Sequence, residues 1–312
     1  SVSGGLFATA AGKLVRVWDV QSAAERCVIE GHRKSVAAIA FNPAGTRLAT
    51  AGHDCAIVIW DTQDGRELLR FAGQDDGGLS SLMFTPDGKH LVSGSGGWLN
   101  DHSARLWNAE SGALVETLLG HENDVSGLAM SPDGRSIASA SWDGSVRIWQ
   151  LNVERATRHL GGHAPWGTVW SLRFSPDGRW LASTSMDATV RVWDAGDGLE
   201  RYCVDEHRTT GDWIKPSAAF SPDSALLATS GDHFIRICSA DSGALLRVLS
   251  GHTTDIAALA FSPDGTQLAS AGGMDRSVRV WETLTGVELA RLDGNDSNAT
   301  TVTWASDGKV LD

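Results

Sequence analysis

Residues 121–149 contain the pattern that decides the fold: HENDVSGLAMSPDGRSIASASWDGSVRIW. Within it, Pro132-Asp133-Gly134 predicts a tight turn, because Pro fixes its φ angle and Gly accepts a positive φ. Trp142-Asp143-Gly144 predicts a second turn. The segments around these turns are short, rich in small and β-branched residues, and without helical periodicity. They predict three consecutive β-strands, followed by a weaker fourth strand that ends near Leu160.

The same pattern recurs along the chain at nearly constant spacing. A Trp closes the predicted third strand at positions 18, 60, 107, 149, 193 and 281, and Cys238 stands where one further Trp is expected. The first four spacings are 42, 47, 42 and 44, and the interval of 88 before position 281 is two periods. A four-stranded sheet cannot bury both of its faces alone, so consecutive sheets must stack. The sequence therefore predicts an all-β protein with seven repeats.

The period and the recurring Gly-His and Trp-Asp pairs resemble the WD-repeat family over essentially the whole chain. This resemblance implies one seven-bladed β-propeller domain over residues 1–312, with four-stranded antiparallel blades. It also implies a ring closed by a blade shared between the termini, with N-terminal strands at about 5–19 and a C-terminal strand at about 299–306. Leu6 and Leu311 both align with the start of the second strand in that blade, so either end could provide it.

Composition and charge limit the function classes. The net charge of −12 disfavours general nucleic-acid binding and docking on anionic lipid. Four scattered cysteines without metal-binding spacing indicate a reducing compartment, so we expect a cytoplasmic protein. The sequence has no apolar run of membrane-spanning length and no secretory leader. A start within a blade favours a piece of a larger protein, and the frequent Ala, Arg and Gly resemble bacterial members of the family.

Four repeats contain His, Ser or Thr, Asp and Trp at matching positions. The sets are His32, Thr50, Asp54, Trp60; His121, Ser139, Asp143, Trp149; His163, Ser183, Asp187, Trp193; and His252, Ser270, Asp275, Trp281. Ser, His and Asp could form a hydrolase triad, but four copies would need four oxyanion holes. The resemblance implies instead a buried structural network that runs from the Trp indole to the hydroxyl, then to His and Asp. We therefore expect no catalytic residue.

Two repeats have a different residue at one of these positions. Gln74 stands where His is expected, and Cys238 stands where Trp is expected. We expect these two repeats to be held together less firmly, because each lacks one member of the network.

The resemblance implies that the loops with the network His and Asp lie on one face of the propeller, the top face. Three of these loops are longer than the others, and each inserted segment contains a Trp. The predicted partner-binding residues are His53, Trp98, Asn100, Trp142, Trp166, Met186, Trp213 and Met274. Exposed Trp and Met are typical of surfaces that anchor a partner. The alternative is that these side chains pack against their own loops.

Three functions fit this fold. The first is a non-catalytic scaffold that binds a protein or peptide through the top face. The second is a sensor domain of a larger signalling protein, covalently linked to an effector domain outside this chain. The third is a small-molecule-binding or enzymatic propeller, which needs a convergent acid or base. The sequence contains no such group, no nucleotide-binding motif and no metal-binding motif. We therefore expect the scaffold, with a protein or peptide partner, no cofactor, no metal, no general nucleic-acid binding and no membrane as partner.

Overall fold

The computed structural model describes residues 5–20, 22, 24–74, 78–96, 101–151, 157–205, 216–293, 301–304 and 310–311. The regular elements in these ranges are β-strands, and each pairs antiparallel with its neighbours in sequence. None of the described segments is a helix that could cross a membrane. The chain divides into two compact units, Ser1–Thr157 and Arg158–Asp312.

Unit 1 contains four consecutive sheets. Sheet 1 has three strands: β1 (Leu6–Ala11), β2 (Leu14–Asp19) and β3 (Ala24–Glu30). Sheet 2 has β4 (Val36–Phe41), β5 (Arg47–Gly52), β6 (Ala56–Asp61) and β7 (Glu67–Ala72). Sheet 3 has β8 (Leu79–Phe84), β9 (His90–Ser95), β10 (Ala104–Asn108) and β11 (Leu114–Leu118). Sheet 4 has β12 (Val125–Met130), β13 (Ser136–Ser141), β14 (Val146–Gln150) and β15 (Thr157–Leu160), which begins at the last residue of this unit.

Unit 2 contains three further four-stranded sheets and a terminal hairpin. Sheet 5 has β16 (Val169–Phe174), β17 (Trp180–Ser185), β18 (Val190–Asp194) and β19 (Glu200–Val204). Sheet 6 has β20 (Ser217–Phe220), β21 (Leu226–Ser230), β22 (Phe234–Ser239) and β23 (Leu245–Ser250). Sheet 7 has β24 (Ile256–Phe261), β25 (Gln267–Gly272), β26 (Val278–Glu282) and β27 (Glu288–Leu292). The hairpin has β28 (Thr303–Trp304) and β29 (Val310–Leu311).

The predicted fold class is confirmed: the strands form seven successive antiparallel sheets, as in a seven-bladed β-propeller. Six of the sheets have four strands and sheet 1 has three. Both chain ends begin a second strand, since Leu6 pairs with Asp19 and Leu311 pairs with Thr303. Closure of the ring by one blade shared between the termini stays a prediction.

The core of each unit lies between consecutive sheets. In unit 1, Ile57 of sheet 2 packs in one cluster with Leu91 and Trp107 of sheet 3. In unit 2, Ile237 of sheet 6 packs in one cluster with Leu268 of sheet 7. The second strands of sheets 2 to 7, such as β13 and β17, are buried along nearly their whole length, and the small Ala and Ser side chains there allow neighbouring sheets to approach closely.

The turn between the second and third strands adopts a left-handed backbone conformation. Gly144 has a φ of 78°, and the equivalent Ala188 has a φ of 64°. Cys55 and Arg276 occupy the same position with φ values of 62° and 56°. Left-handed φ angles are unfavourable for residues with a Cβ atom, so three of these turns carry backbone strain that Gly144 avoids.

Candidate functional site

The four predicted sets form continuous hydrogen-bond networks, and sheet 4 shows the geometry. Trp149 Nε1 donates to Ser139 Oγ over 2.8 Å. Ser139 Oγ lies 2.7 Å from His121 Nε2, and His121 Nδ1 lies 3.0 Å from Asp143 Oδ2. Because a carboxylate can only accept, the imidazole donates from Nδ1 and Nε2 accepts the hydroxyl proton.

The same order of contacts holds in sheets 2, 5 and 7. The indole-to-hydroxyl distances there are 2.8, 2.9 and 2.8 Å, and each hydroxyl-to-imidazole distance is 2.7 Å. The shortest imidazole-to-carboxylate distances are 2.9, 3.1 and 2.7 Å. These contacts join the residues Trp60, Thr50, His32, Asp54; Trp193, Ser183, His163, Asp187; and Trp281, Ser270, His252, Asp275.

Burial and charge make these networks structural. Ser139 is completely buried, so a substrate cannot reach its oxygen, which the indole N–H also engages. Burial alone would raise the pKa of Asp143, but hydrogen bonds from His121, Ser145 and the backbone hold that pKa well below its usual range. Burial lowers the pKa of His252 despite the contact with Asp275, which keeps this imidazole neutral. In each network, hydrogen bonds hold the protons of the indole, the hydroxyl and the imidazole in place. The hydroxyl is therefore not available to attack a substrate.

In sheet 3, Gln74 takes over the role of the missing imidazole. Ser93 Oγ accepts from Trp107 Nε1 at 2.8 Å and donates to Gln74 Oε1 at 3.1 Å. Gln74 Nε2 then donates to the Ser103 carbonyl at 3.3 Å. Asp101 pairs with Arg105 at 2.9 Å. The network of this sheet therefore continues through an amide.

Sheet 6 differs from the other sheets at two of these positions. Cys238, in the position of the Trp, is buried, and the buried Thr229 hydroxyl has no hydrogen-bond partner among the described residues. Asp232 forms an ion pair with Arg236 at 3.3 Å. The expected imidazole of this repeat, His207, lies outside the described residues.

In the cavity beside one of these networks, the carboxylate among the described lining residues is fully hydrogen-bonded. The cavity has a volume of about 490 Å³ and is lined by Arg33, Asp54, Cys55 and Arg70, among others. Both oxygens of Asp54 are engaged: Oδ1 accepts from His32 at 2.9 Å, and Oδ2 accepts from the Arg33 backbone N–H at 2.6 Å. In the described part of the chain, no group of three or more His, Cys, Asp or Glu side chains could hold a metal ion.

Several predicted top-face residues occupy equivalent positions in the loops. The backbone N–H groups of His53, Trp142 and Met186 donate to the carbonyls of Ser35, Asp124 and Thr168, respectively, in the loop before the first strand. In sheet 7, Gly273, the residue before Met274, makes the same contact with Asp255. These hydrogen bonds fix both loops of each sheet against one another and hold the residues at their junction in place.

The exposure of these side chains differs. In unit 1, His53 is exposed and Trp142 is half-buried. In unit 2, Trp166 is 65% exposed, Met274 is 72% exposed, and Met186 is half-buried. Trp166 and Met274 thus leave most of their apolar surface open. The other predicted members, Trp98, Asn100 and Trp213, lie outside the described residues.

The prediction from sequence missed an apolar residue on an outer strand end. Leu119 follows β11 and is 72% exposed. It precedes Gly120, at a position where Glu30 and Ser250 precede the corresponding glycines. Leu119 could have been identified from the sequence, because it is apolar at a position where those two repeats have a polar residue.

Six segments of the chain match the family described as WD domain, G-beta repeat (WD40). The matched residues are 24–61, 65–108, 112–150, 154–194, 202–239 and 243–282. Each segment begins in or before the fourth strand of one sheet and ends at the third strand of the next, so the sequence repeat is shifted by one strand relative to the sheets.

Relatives with similar sequences come from fungi and an amoeba. The chain is 30% identical to nuclear distribution protein PAC1 of Arthroderma benhamiae, over 93% of this chain and 59% of that protein. It is 29% identical to nuclear distribution protein nudF 1 of Talaromyces marneffei, over 82% of this chain and 60% of that protein. It is 27% identical to protein tipD of Dictyostelium discoideum, over 88% of this chain and 44% of that protein.

The chain thus spans less than two thirds of the length of these relatives. The six matched segments cover more than half of the chain, and their repeat agrees with the four-stranded sheets and with the recurring hydrogen-bond networks. The chain belongs to the WD40 repeat family.

Proposed function

We propose that this chain is a non-catalytic scaffold that binds a protein or peptide partner through its top-face side chains. In unit 1 these are His53 and Trp142, and in unit 2 they are Trp166, Met186 and Met274. The observation that carries the proposal is the exposure of Trp166 and Met274 on loops that are hydrogen-bonded in place. Trp98, Asn100 and Trp213 remain predicted partner-binding residues.

The energetics favour binding through these side chains. Burying a large apolar side chain against a partner contributes roughly 1.5–3 kcal/mol. The loops are already ordered by hydrogen bonds such as that from Met186 N–H to the Thr168 carbonyl at 2.9 Å. Little conformational entropy is therefore lost on binding, and Trp is enriched among the few residues that contribute most of the binding energy at interfaces.

The nature of the partner follows from family and charge. WD40 relatives that are named nuclear distribution proteins support a regulatory scaffold rather than an enzyme. The net charge of −12 favours a protein over nucleic acid or anionic lipid as the partner. From the four scattered cysteines, we propose a cytoplasmic location. Linkage to an effector domain also remains a proposal. The resemblance to bacterial members has no support among the named relatives.

The test compares two double variants as baits in cell lysate. Trp166→Ala with Met274→Ala removes the exposed top-face side chains of unit 2. The matched control, Leu199→Ala with Leu284→Ala, removes two leucines that are 59% and 74% exposed on the outer part of the same unit. We expect the top-face variant to lose roughly tenfold or more of the recovered partner, because a hot-spot side chain contributes about 2 kcal/mol or more.

The control variant should recover the same proteins as the wild type. Both variants should retain the wild-type melting temperature, since none of the replaced side chains is buried. Equal recovery of partners by the wild type and the top-face variant would show that these two residues are not the binding surface.

A further inference from the structure

The fourth strand of sheet 6, β23, is an edge strand with exposed aliphatic side chains. Within the described part of the chain it pairs with one strand, β22, so the backbone groups on its outer side have no strand partner there. Leu245, Leu246 and Val248 are 50%, 48% and 51% exposed. Leu246 and Val248 point to the same side of the strand, because side chains alternate between the two faces of a sheet. β23 thus combines backbone groups that can bond to another strand with aliphatic side chains that can pack against it.

Four other outer strands have a glutamate at the position of Leu245, seven residues after the last Trp or Cys of the preceding strand. Each of these glutamates forms an ion pair with an arginine: Glu25 with Arg16, Glu67 with Arg70, Glu200 with Arg191, and Glu288 with Arg279. Charged side chains on an edge strand discourage the addition of a further strand. β23 has a leucine at this position, and its single charged residue is Arg247.

The guanidinium of Arg247 forms no hydrogen bond or ion pair with the described residues. Two side chains at the equivalent position do: Arg158 Nη1 donates to the Ala195 carbonyl at 3.1 Å, and Tyr202 Oη makes the corresponding bond at 2.8 Å. Both bonds hold a turn of the following sheet. The stem of Arg247 packs against the same turn of sheet 7, where a Cβ atom on Gly286 would lie 3.8 Å from its Cδ. Its charged end is therefore open to a partner.

The carboxylates of the segments around Arg247 are already engaged. Asp241 and Glu288 each form an ion pair with another arginine, at 3.2 and 2.7 Å. Glu282 accepts a hydrogen bond from a threonine hydroxyl of its own turn. Residues 216–293, which form sheets 6 and 7, are described without a gap. The half-buried cation on β23 thus has no carboxylate partner within these two sheets.

A second copy of the chain fits this edge poorly. When two β23 strands pair antiparallel with Leu246 of one copy opposite Val248 of the other, the two Arg247 side chains also stand opposite one another. Like charges at directly opposite positions destabilise a pair of strands, whereas opposite charges stabilise it. Charge complementarity therefore favours a strand that places an acidic residue opposite Arg247.

We propose that β23 is the docking edge for an extended segment of a protein partner in which one acidic residue stands between two aliphatic residues. The segment adds a strand to sheet 6, and its backbone bonds to the outer side of β23. Its carboxylate lies opposite Arg247, and its aliphatic side chains lie opposite Leu246 and Val248 on the other face. This edge is separate from the proposed top-face residues, such as Trp166 and Met274, and does not depend on the proposed function.

The probe is the capped peptide acetyl-Thr-Val-Glu-Val-Thr-amide, in which glutamate stands between two valines. Its matched control has glutamine in place of glutamate. Binding is measured by NMR, from the shifts of the β23 backbone amides during titration with each peptide. Amide hydrogen exchange with and without peptide then reports on strand addition, because new hydrogen bonds protect the N–H groups on the outer side of β23. The outer strand of sheet 5, β19, is the reference.

We expect the glutamate peptide to shift these resonances and saturate, and the glutamine peptide to bind about fivefold more weakly. Saturation should slow exchange in β23 and leave β19 unchanged. Arg247→Gln should remove the difference between the peptides, whereas Arg201→Gln, which removes an exposed arginine of β19, should retain it. Leu246→Ser with Val248→Ser should weaken binding of the glutamate peptide about tenfold.

The proposal is overturned if the glutamate peptide does not bind, if both peptides bind equally to the wild type, or if Arg247→Gln, with its fold verified by its backbone spectrum, still discriminates. Binding without slower exchange in β23 would exclude strand addition. A concentration-dependent dimer of the chain alone that is lost in Leu246→Ser with Val248→Ser would make a second copy the occupant instead. Trp166→Ala with Met274→Ala should bind the glutamate peptide as the wild type does, so failure here is distinct from failure of the proposed function.

Discussion

The Ser139 hydroxyl makes two hydrogen bonds while it is completely buried. It accepts from Trp149 and donates to His121, which in turn donates to Asp143. Removal of any one member leaves a buried polar atom without a partner, and such an atom destabilises the folded state more than a typical hydrogen bond stabilises it.

At the residue scale, we therefore expect His121→Ala to lower the free energy of unfolding by about 1–3 kcal/mol. The substitution leaves the Ser139 hydroxyl without its acceptor and the Asp143 carboxylate without a buried donor. Chemical denaturation measures the change, and His53→Ala, which removes an exposed imidazole in the same unit, is the control and should have little effect. An unchanged unfolding midpoint for His121→Ala would contradict a stabilising role for the network.

The residues of the four networks could be predicted because the same letters recur at the same spacing. The partner of Gln74 could not, since an amide is not part of the recurring pattern. Sequence repetition identifies the common contacts and the repeats that depart from them, and the coordinates identify which contact takes the place of the missing one.

Turns separate the strands of every sheet, and their backbone conformation can be tested at the scale of the element. The second and third strands of sheets 4 and 5 are joined through Gly144 and Ala188, respectively, which both have left-handed φ angles. Such a φ costs a residue with a Cβ atom about 1–2 kcal/mol. Glycine avoids this cost but has more conformational freedom in the unfolded chain, which offsets part of the gain.

We expect Ala188→Gly to raise the free energy of unfolding by about 0.5–1 kcal/mol, and Gly144→Ala to lower it by at least as much. Thermal and chemical unfolding of the two variants measure these opposite shifts. The pair serves as its own control, because the same chemical change is made in opposite directions at equivalent positions. Shifts of the same sign in both variants would show that side-chain packing, rather than φ, dominates at this turn.

The positions of the strands could be predicted from the residues in the turns, but the register in which the strands pair could not. The pairing of third and fourth strands shifts by one residue just before the terminal Trp, as between Ile59 and Trp60. A further shift occurs in first strands, as between Val36 and Ala38. Such bulges depend on how two strands fit together, so the alternation of residues within one strand does not reveal them.

At the scale of the whole molecule, the outermost sheets of the two units have incompletely covered faces. In unit 1, Trp18 of sheet 1 is half-buried, whereas Trp60 of sheet 2 is 3% exposed. In unit 2, Leu292 of sheet 7 is 45% exposed, whereas Leu249, at the same register in sheet 6, is 2% exposed. The count of seven sheets was predictable from the period, but these differences at the ends were not.

The predicted closing blade adds a C-terminal strand, at about residues 299–306, to the edge of β1 that faces away from β2. We therefore expect deletion of residues 299–312 to speed up amide hydrogen exchange in β1, because its edge N–H groups would lose their acceptors. The control is deletion of residues 307–312 alone, which keeps the predicted strand. Identical exchange of β1 in the full chain and in the longer deletion would rule out this form of closure.

The amide of Gln74 has a consequence for tolerance of acid. Gln74 accepts the Ser93 proton as His252 accepts that of Ser270, yet an amide has no proton to gain. Because burial lowers the pKa of His252, its sheet is fully stable above the ordinary histidine pKa of about 6.5 and is weakened as acidification protonates the imidazole. Glutamine in place of His252 would therefore make the cohesion of sheet 7 insensitive to mild acidification.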